Sequence, residues 1–272
     1  MPKTYKLSCT IIAFNEEDRI ARCLESVVGI ADEIIVVDSG SADKTVEICK
    51  SYGARCFYNE WVGFGQQKRF AEELASNHWI LNLDADEWLT DDAREEIRNL
   101  ISRGFDEGIY GYKLTIRQLY PFEEKPRLFA DCHEYVRLYN KELCRFPDSS
   151  SYDEIKIESK NTGKLISPVY HRSIRSISHL IEKNILYYRL QAQEIGLSRR
   201  LSVVRVVFEP LTVFVKYYFM KRHFTGGVYG FIVASTIAVI RTYRLLMLIS
   251  SAEKHEHRAA PRRAMRRLRF RG

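Results

Sequence analysis

Hydrophobic and polar positions in the first half of the chain switch repeatedly between strand and helix patterns. Leu7 to Ala13 is a continuous apolar, β-rich run of strand length. Asn15 then reads as a helix cap, with Glu16, Glu17 and Asp18 in the first turn and Ile20, Leu24, Val27 and Val28 at helical spacing. Glu33 to Val37 forms a second strand pattern ending at Asp38, followed by the turn Ser39-Gly40-Ser41 and a helix over Thr45 to Ser51. A short strand over Arg55 to Tyr58, a helix over Gly65 to Ala75 and a buried strand over Trp79 to Leu83 come next. Thr90 as a cap, with Asp91 and Asp92 after it, opens a helix over Asp91 to Ile101, and Tyr110 to Ile116 is extended. This alternation predicts an α/β fold with a mostly parallel central sheet. From Pro121 to Pro168 the pattern is irregular, with short extended pieces, and reads as an insertion rather than a second parallel unit. Beyond Ile177 it is helical. Ile177, Leu180, Ile181, Ile185 and Tyr188 make one stripe, and Leu201 to Phe219 is apolar apart from Arg205, Glu209-Pro210 and Lys216. The uninterrupted run Val228 to Ile240 falls short of the roughly 20 residues a spanning helix needs.

Composition adds little to the body of the protein and much to its end. The 272 residues, 46% hydrophobic and 28% charged, suffice for a substantial core. A mean hydropathy of -0.27 argues against a polytopic membrane protein. Of the net charge of +7, Glu253 to Gly272 supplies +6, from eight Lys/Arg against two acids. The body is therefore near neutral and the tail basic. Arg258, Arg262, Arg263, Arg266, Arg267, Arg269 and Arg271, with Pro261 among them, suggest a solvated, disordered end or attraction to anionic lipid headgroups. Nucleic-acid binding is disfavoured, since no recognised module supplies base-stacking aromatics. None of the six cysteines forms a CxxC pair, and no signal peptide precedes the first strand, so free thiols in a reducing cytoplasm are expected.

The sharpest chemical feature is Asp84-Ala85-Asp86-Glu87, three carboxylates where an apolar strand stops. Such charges repel one another and resist desolvation, and a hard divalent cation would relieve the conflict. Asn15 and Asp38 also lie at predicted strand carboxyl ends, where open α/β sheets bind ligands. All three segments can therefore meet in one crevice.

Thr10-Ile11-Ile12-Ala13-Phe14-Asn15-Glu16, Val36-Val37-Asp38-Ser39-Gly40-Ser41-Ala42-Asp43 and Leu83-Asp84-Ala85-Asp86-Glu87 resemble, in that order, the family 2 glycosyltransferases of GT-A fold. The likeness covers roughly Leu7 to His171. Gly63-Phe64-Gly65-Gln66-Gln67-Lys68 and Gly226-Gly227-Val228-Tyr229-Gly230-Phe231 resemble the branch containing the lipopolysaccharide inner-core β-1,4-glucosyltransferases. The resemblance implies a UDP-sugar donor and a divalent metal, Mg²⁺ or Mn²⁺. It implies that Asp38 meets the uracil, that Ala13, Asn15 and Glu16 frame the nucleoside, and that Lys68 approaches the diphosphate. Asp84 would face the ribose and share the metal with Asp86, because charge develops on the departing UDP. Asp38 could equally cap its own turn, and Lys68 alone reads as a solvated helix residue.

An inverting transfer needs a base for the acceptor hydroxyl. Asp153 is the first candidate and Glu154 its rival, in Ser151-Tyr152-Asp153-Glu154, where Tyr152 stands in place of the His common in relatives. A surface acidic pair is the alternative for both. His171 falls where relatives carry a metal- or diphosphate-binding histidine, and could instead be a packed one. Arg137 resembles a basic position that contacts phosphate or acceptor, with a surface ion pair as the plain alternative.

The expected division is a GT-A domain over 1–172, with the donor site in 7–117 and the acceptor side in 118–172. A membrane-associating helical region over 173–252 and a basic tail over 253–272 follow. The expected activity is transfer of a hexose, glucose first, from UDP to a membrane glycolipid such as inner-core heptose. The expected place is the cytoplasmic face of the bacterial inner membrane. Transfer to a polyprenyl phosphate and a non-catalytic nucleotide-sugar-binding adaptor are the competing readings. A Rossmann dehydrogenase is disfavoured, since no GxGxxG follows the first strand.

Overall fold

The computed structural model describes residues 5–150, 152–194 and 203–268. Strands β1 (Leu7–Ala13), β2 (Glu33–Asp38), β3 (Arg55–Tyr58) and β4 (Trp79–Asp84) are parallel and alternate with α1 (Ile20–Val27), α2 (Thr45–Ser51) and α3 (Phe64–Leu74). β5 (Glu87–Leu89), α4 (Asp91–Arg103), β6 (Gly111–Gln118), β7 (Cys132–Asn140) and β8 (Thr162–His171) follow. All eight strands join one sheet in the order β3-β2-β1-β4-β7-β6-β8-β5. It is a GT-A-like mixed sheet, parallel over its first four strands and antiparallel where β7 meets β4 and β6.

Burial explains the pattern. Every residue of β1 is buried, and β2 and β4 are buried over all but one residue each, as expected of strands covered on both faces. One apolar cluster packs Ile11, Val36 and Leu83 against Ile20, Leu24 and Ile97. The other packs Ile35, Val37 and Ile80 against Ala71, Tyr139 and Phe146. The α4 start is as its sequence reads, with Thr90 Oγ1 accepting from the Ala93 amide at 3.2 Å and two acids in the first turn. Gly104, at φ +93°, ends that helix.

Three expectations change. Asn15 is not a helix cap. It takes a left-handed conformation at φ 54°, and α1 starts five residues later at Ile20. The region 121–168, read as irregular, supplies the two long strands β7 and β8, and β8 pairs with β6 in parallel. Their partners lie far away in sequence, and charged residues such as Glu134, Arg137 and Lys164 hide the alternation. β5 is a short strand that was not anticipated, antiparallel to β8.

The chain packs as two units, one of residues 1–126 and 131–173 and one of 127–130 and 174–272. The second contains α5 (Ile177–Glu194), α6 (Val203–Val215) and α7 (Gly227–Leu268). Phe214 stacks on Tyr218 at 5.2 Å and meets Phe231 edge-on at 5.5 Å, joining α6, the turn after it and α7. Helix α7 runs on through 253–268, most of the stretch expected to be disordered, where Ala, Arg, Lys and Glu are good helix formers. His223–Met247, 25 residues containing an 18-residue window of mean hydropathy 1.5, is long and apolar enough to cross a membrane by length and composition, further than the Val228 to Ile240 run indicated.

Candidate active site

Strand register assembles the site. Ala13 lies beside Asp38, and Ile12 beside Asp84, so three adjacent parallel strands end together. Antiparallel pairing of Leu81 with Leu138 brings Arg137 alongside Asn82 at the same end. Pairing of Glu87 with His171 carries the end of β8 to the acidic turn, and the Arg172 amide donates to the Asp86 carbonyl at 3.0 Å.

The acidic cluster is not the uncompensated group its sequence suggests. Arg137 Nη2 lies 2.9 Å from Asp84 Oδ2 and 2.6 Å from Glu87 Oε1, and its Nη1 donates to Asn82 Oδ1 at 2.9 Å. Lys68 Nζ sits 2.8 Å from Asp84 Oδ1. Asp86 pairs with His171 Nε2 at 3.1 Å and Arg19 Nη1 at 3.3 Å. Each cation comes from a distant segment. Burial alone would push the Asp84 carboxyl up, but Arg137 and Lys68 outweigh it and hold the group well below the carboxylate range. Burial raises Glu87, against the pull of Arg137. Burial would lower His171, but Asp86 prevails and raises it.

The individual assignments fare differently. Lys68 is fully buried, not solvated, and bridges Asp84 and Asp153, the latter also at 2.8 Å. Arg137 is a buried ion-pair centre rather than a surface one. Asp153 is 41% exposed on its side chain and so keeps an open edge, while Glu154 is exposed. Asp38 Oδ2 accepts from the Gly40 and Ser41 amides at 2.9 and 2.8 Å, and Oδ1 accepts from the Ser41 hydroxyl. The Asn15 amide donates to Ser41 Oγ at 2.8 Å, and its side chain accepts from the Ala42 amide at 2.9 Å. The Glu16 amide donates to Thr45 Oγ1 at 2.7 Å, and its carboxylate holds Arg19. These bonds lace the ends of β1 and β2 into one rigid rim, which Gln67 ties to α3 through Ser39 and the Asn59 carbonyl.

Sequence reasoning passed over Arg19, Asn82 and Gln67. Asn82 had a signal, as the one polar residue inside an apolar strand. Gln67 stood inside the Gly63–Lys68 segment without a role of its own, and Arg19 had no signal, since the partners of both are set by the fold.

Among the described residues no three His, Cys, Asp or Glu side chains stand ready as a metal cage. The donor chemistry still fits a divalent cation. Mg²⁺ and similar ions bind through one or two carboxylates plus substrate phosphates rather than in all-protein cages. Asp86 and His171 already meet one another. The Gln118 side-chain amide meets His171 Nδ1 at 2.8 Å, and Nε2 faces Asp86. Nε2 would serve a cation only when it bears no proton, with Nδ1 protonated and the Gln118 amide oxygen turned to accept from it.

The family model described as glycosyl transferase family 2 matches residues 8–150, more than half the chain. The chain belongs to glycosyl transferase family 2. Relatives agree over nearly the whole length of this family 2 chain. An uncharacterized glycosyltransferase of Rickettsia conorii is 36% identical over 264 residues, 93% of each chain. LpsC of Rhizobium meliloti, named as a lipopolysaccharide core biosynthesis glycosyltransferase, is 31% identical over 94% of this chain and 95% of its own. The crystal structure of S. aureus TarS 1-349 covers 92% of both chains at 15% identity with a TM-score of 0.43, an overlap that bears on neither ligand nor mechanism.

Proposed function

We propose that this family 2 glycosyltransferase is an inverting, metal-dependent enzyme that moves a hexose, glucose first, from UDP to a membrane glycolipid. The name of the relative LpsC supports an acceptor in the lipopolysaccharide core. The observation that carries the proposal is the double contact of Lys68. One ammonium holds both Asp84, at the donor end of β4, and Asp153, the candidate base. Donor and acceptor chemistry thereby share one site.

In this reading the rim of Ala13, Asn15, Glu16 and Asp38 frames the nucleoside. A carboxylate has about four lone-pair sites, and the turn around Asp38 uses three, leaving one for a base N–H. Asp86, with Asp84 and His171, would hold Mg²⁺ or Mn²⁺, which when bound stabilises the charge gained by departing UDP. Asp153 takes the proton from the acceptor hydroxyl through its open edge, and Glu154 is the rival for that role. Arg137 fixes Asp84 at the mouth, where 29% of the Asp84 side chain remains accessible.

A donor screen by UDP release, with glycolipid extracted from membranes as acceptor, tests the proposal. UDP-glucose should lead. Asp86→Ala should remove turnover while leaving the melting curve cooperative, and unchanged turnover would refute the metal role. Asp153→Asn should lower kcat by about 10²-fold or more, the usual scale of general base catalysis. Full activity in that variant would favour a phosphate acceptor, which needs no strong base.

A further inference from the structure

The segment Gly63-Phe64-Gly65-Gln66-Gln67-Lys68 opens α3, and donor binding does not explain its two glycines. Gly63 sits at φ +145°, and a Cβ there would lie 2.2 Å from the Ser150 Cα. A Cβ on Gly65 would lie 2.4 Å from the Tyr152 carbonyl oxygen and 2.5 Å from that of Pro147. These contacts are with backbone, which cannot swing aside as a side chain can. The free amides of the first helical turn need acceptors. The Phe64 amide donates to the Ser150 carbonyl at 3.0 Å, and the Gly65 and Gln66 amides to the Ser149 carbonyl at 3.1 and 3.3 Å. The helix start is therefore closed by protein carbonyls. One turn further on, Lys68 Nζ reaches Asp153 at 2.8 Å.

We infer that Gly63–Lys68 is a seat for the chain that carries the catalytic base, and that Lys68 is a positioning residue for Asp153 rather than a diphosphate ligand. The inference rests on Asp153 being the base. The glycines let the Pro147–Ser150 backbone lie against the helix start, the amides fix its height, and the ammonium fixes the carboxylate. Lys68 has no exposed surface from which to meet a diphosphate, and its partners are two carboxylates. Gly65 and Lys68 stand three residues apart on α3, so they share the face on which this chain is docked.

A double-mutant cycle tests this. Lys68→Met, Asp153→Asn and the pair would be compared with wild type for kcat, for donor KM, and for UDP affinity by calorimetry. Each single change should lower kcat by about 10²-fold. The pair should be no slower than the slower single variant, and UDP affinity should stay within about threefold of wild type. Tenfold weaker UDP binding by Lys68→Met with kcat retained would overturn the inference, as would effects that multiply in the pair. If Lys68→Met fails to fold, Gly65→Ala takes its place, since it alters no charge. It should lower kcat with UDP affinity kept, and wild-type kcat would overturn the seat. If Asp153→Asn turns over at the wild-type rate, the base assignment falls by itself. Amide exchange at Phe64 and Gly65 then judges the seat, which stands if Lys68→Met accelerates exchange and falls if it does not.

Discussion

Arg137 and Lys68 concentrate most of the charge compensation at the site. Arg137 serves Asp84, Glu87 and Asn82 at once, and Glu87 is almost wholly buried. Removing one partner of a buried pair leaves the other charge without compensation. Arg137→Met should therefore destabilise the fold by about 3 kcal/mol, read from a urea melt, whereas a loss confined to activity would place the residue in substrate binding alone. Both cations were visible in the sequence as candidates. Their burial was not, because a lysine in a helix pattern and an arginine in a mixed segment look like solvated residues until their partners are known. Burial also pushes the Cys49 and Cys144 thiols up to about 12, so these behave as packing groups and not nucleophiles.

Glu33, at the start of β2, shows the same logic between elements. It accepts from Ser8 Oγ at 2.6 Å and from the Ser76 amide at 2.6 Å, and it pairs with Arg55 at 2.8 Å. It thus ties β1, β2, β3 and the entry to β4 at the end of the sheet away from the candidate site. Partial burial would raise its carboxyl, but the bonds from Ser8, Ser76 and Arg55 prevail and lower it. A carboxyl lowered in the folded state contributes stability above its unfolded pKa and loses it as pH falls through the folded one. Glu33→Gln should therefore flatten the fall of Tm below about pH 5 and lower Tm at pH 7; an unchanged pH profile would show that the bonds do not persist in solution. β1, β2 and β4 were legible because burial on both faces demands unbroken apolar runs. β7 and β8 were not, because Glu134 and Lys164 lie on faces that only the folded sheet makes polar, and these two residues, 30 apart in sequence, pair at 2.7 Å.

For the whole molecule, the proposed function gives the second unit the task of setting where the enzyme works. Its apolar stretch His223–Met247 and the basic residues beyond it fit a helix held at an anionic membrane surface, in the proposed reading the cytoplasmic face of the inner membrane. The full chain should float with vesicles rich in anionic lipid and bind phosphatidylcholine vesicles more weakly, with 0.5 M salt narrowing the difference. A chain that stays soluble with both would remove membrane association from the proposal. The proposed division at 172 is open to limited proteolysis, with cleavage there as the expected result, whereas α7 runs unbroken across 252.

Local patterning was enough to establish the alternating α/β architecture, the acidic turn at the end of β4 and the family. Strand periods, caps and short motifs are all encoded within a few neighbouring residues. Tertiary structure decided what the acidic turn faces. Arg19, Lys68, Arg137 and His171 come from α1's approach, α3, β7 and β8, and only sheet register together with helix packing brings them within 3.3 Å of Asp84 or Asp86. Charge compensation acts through space over a few ångströms, and a linear sequence carries no measure of that distance until the chain has folded.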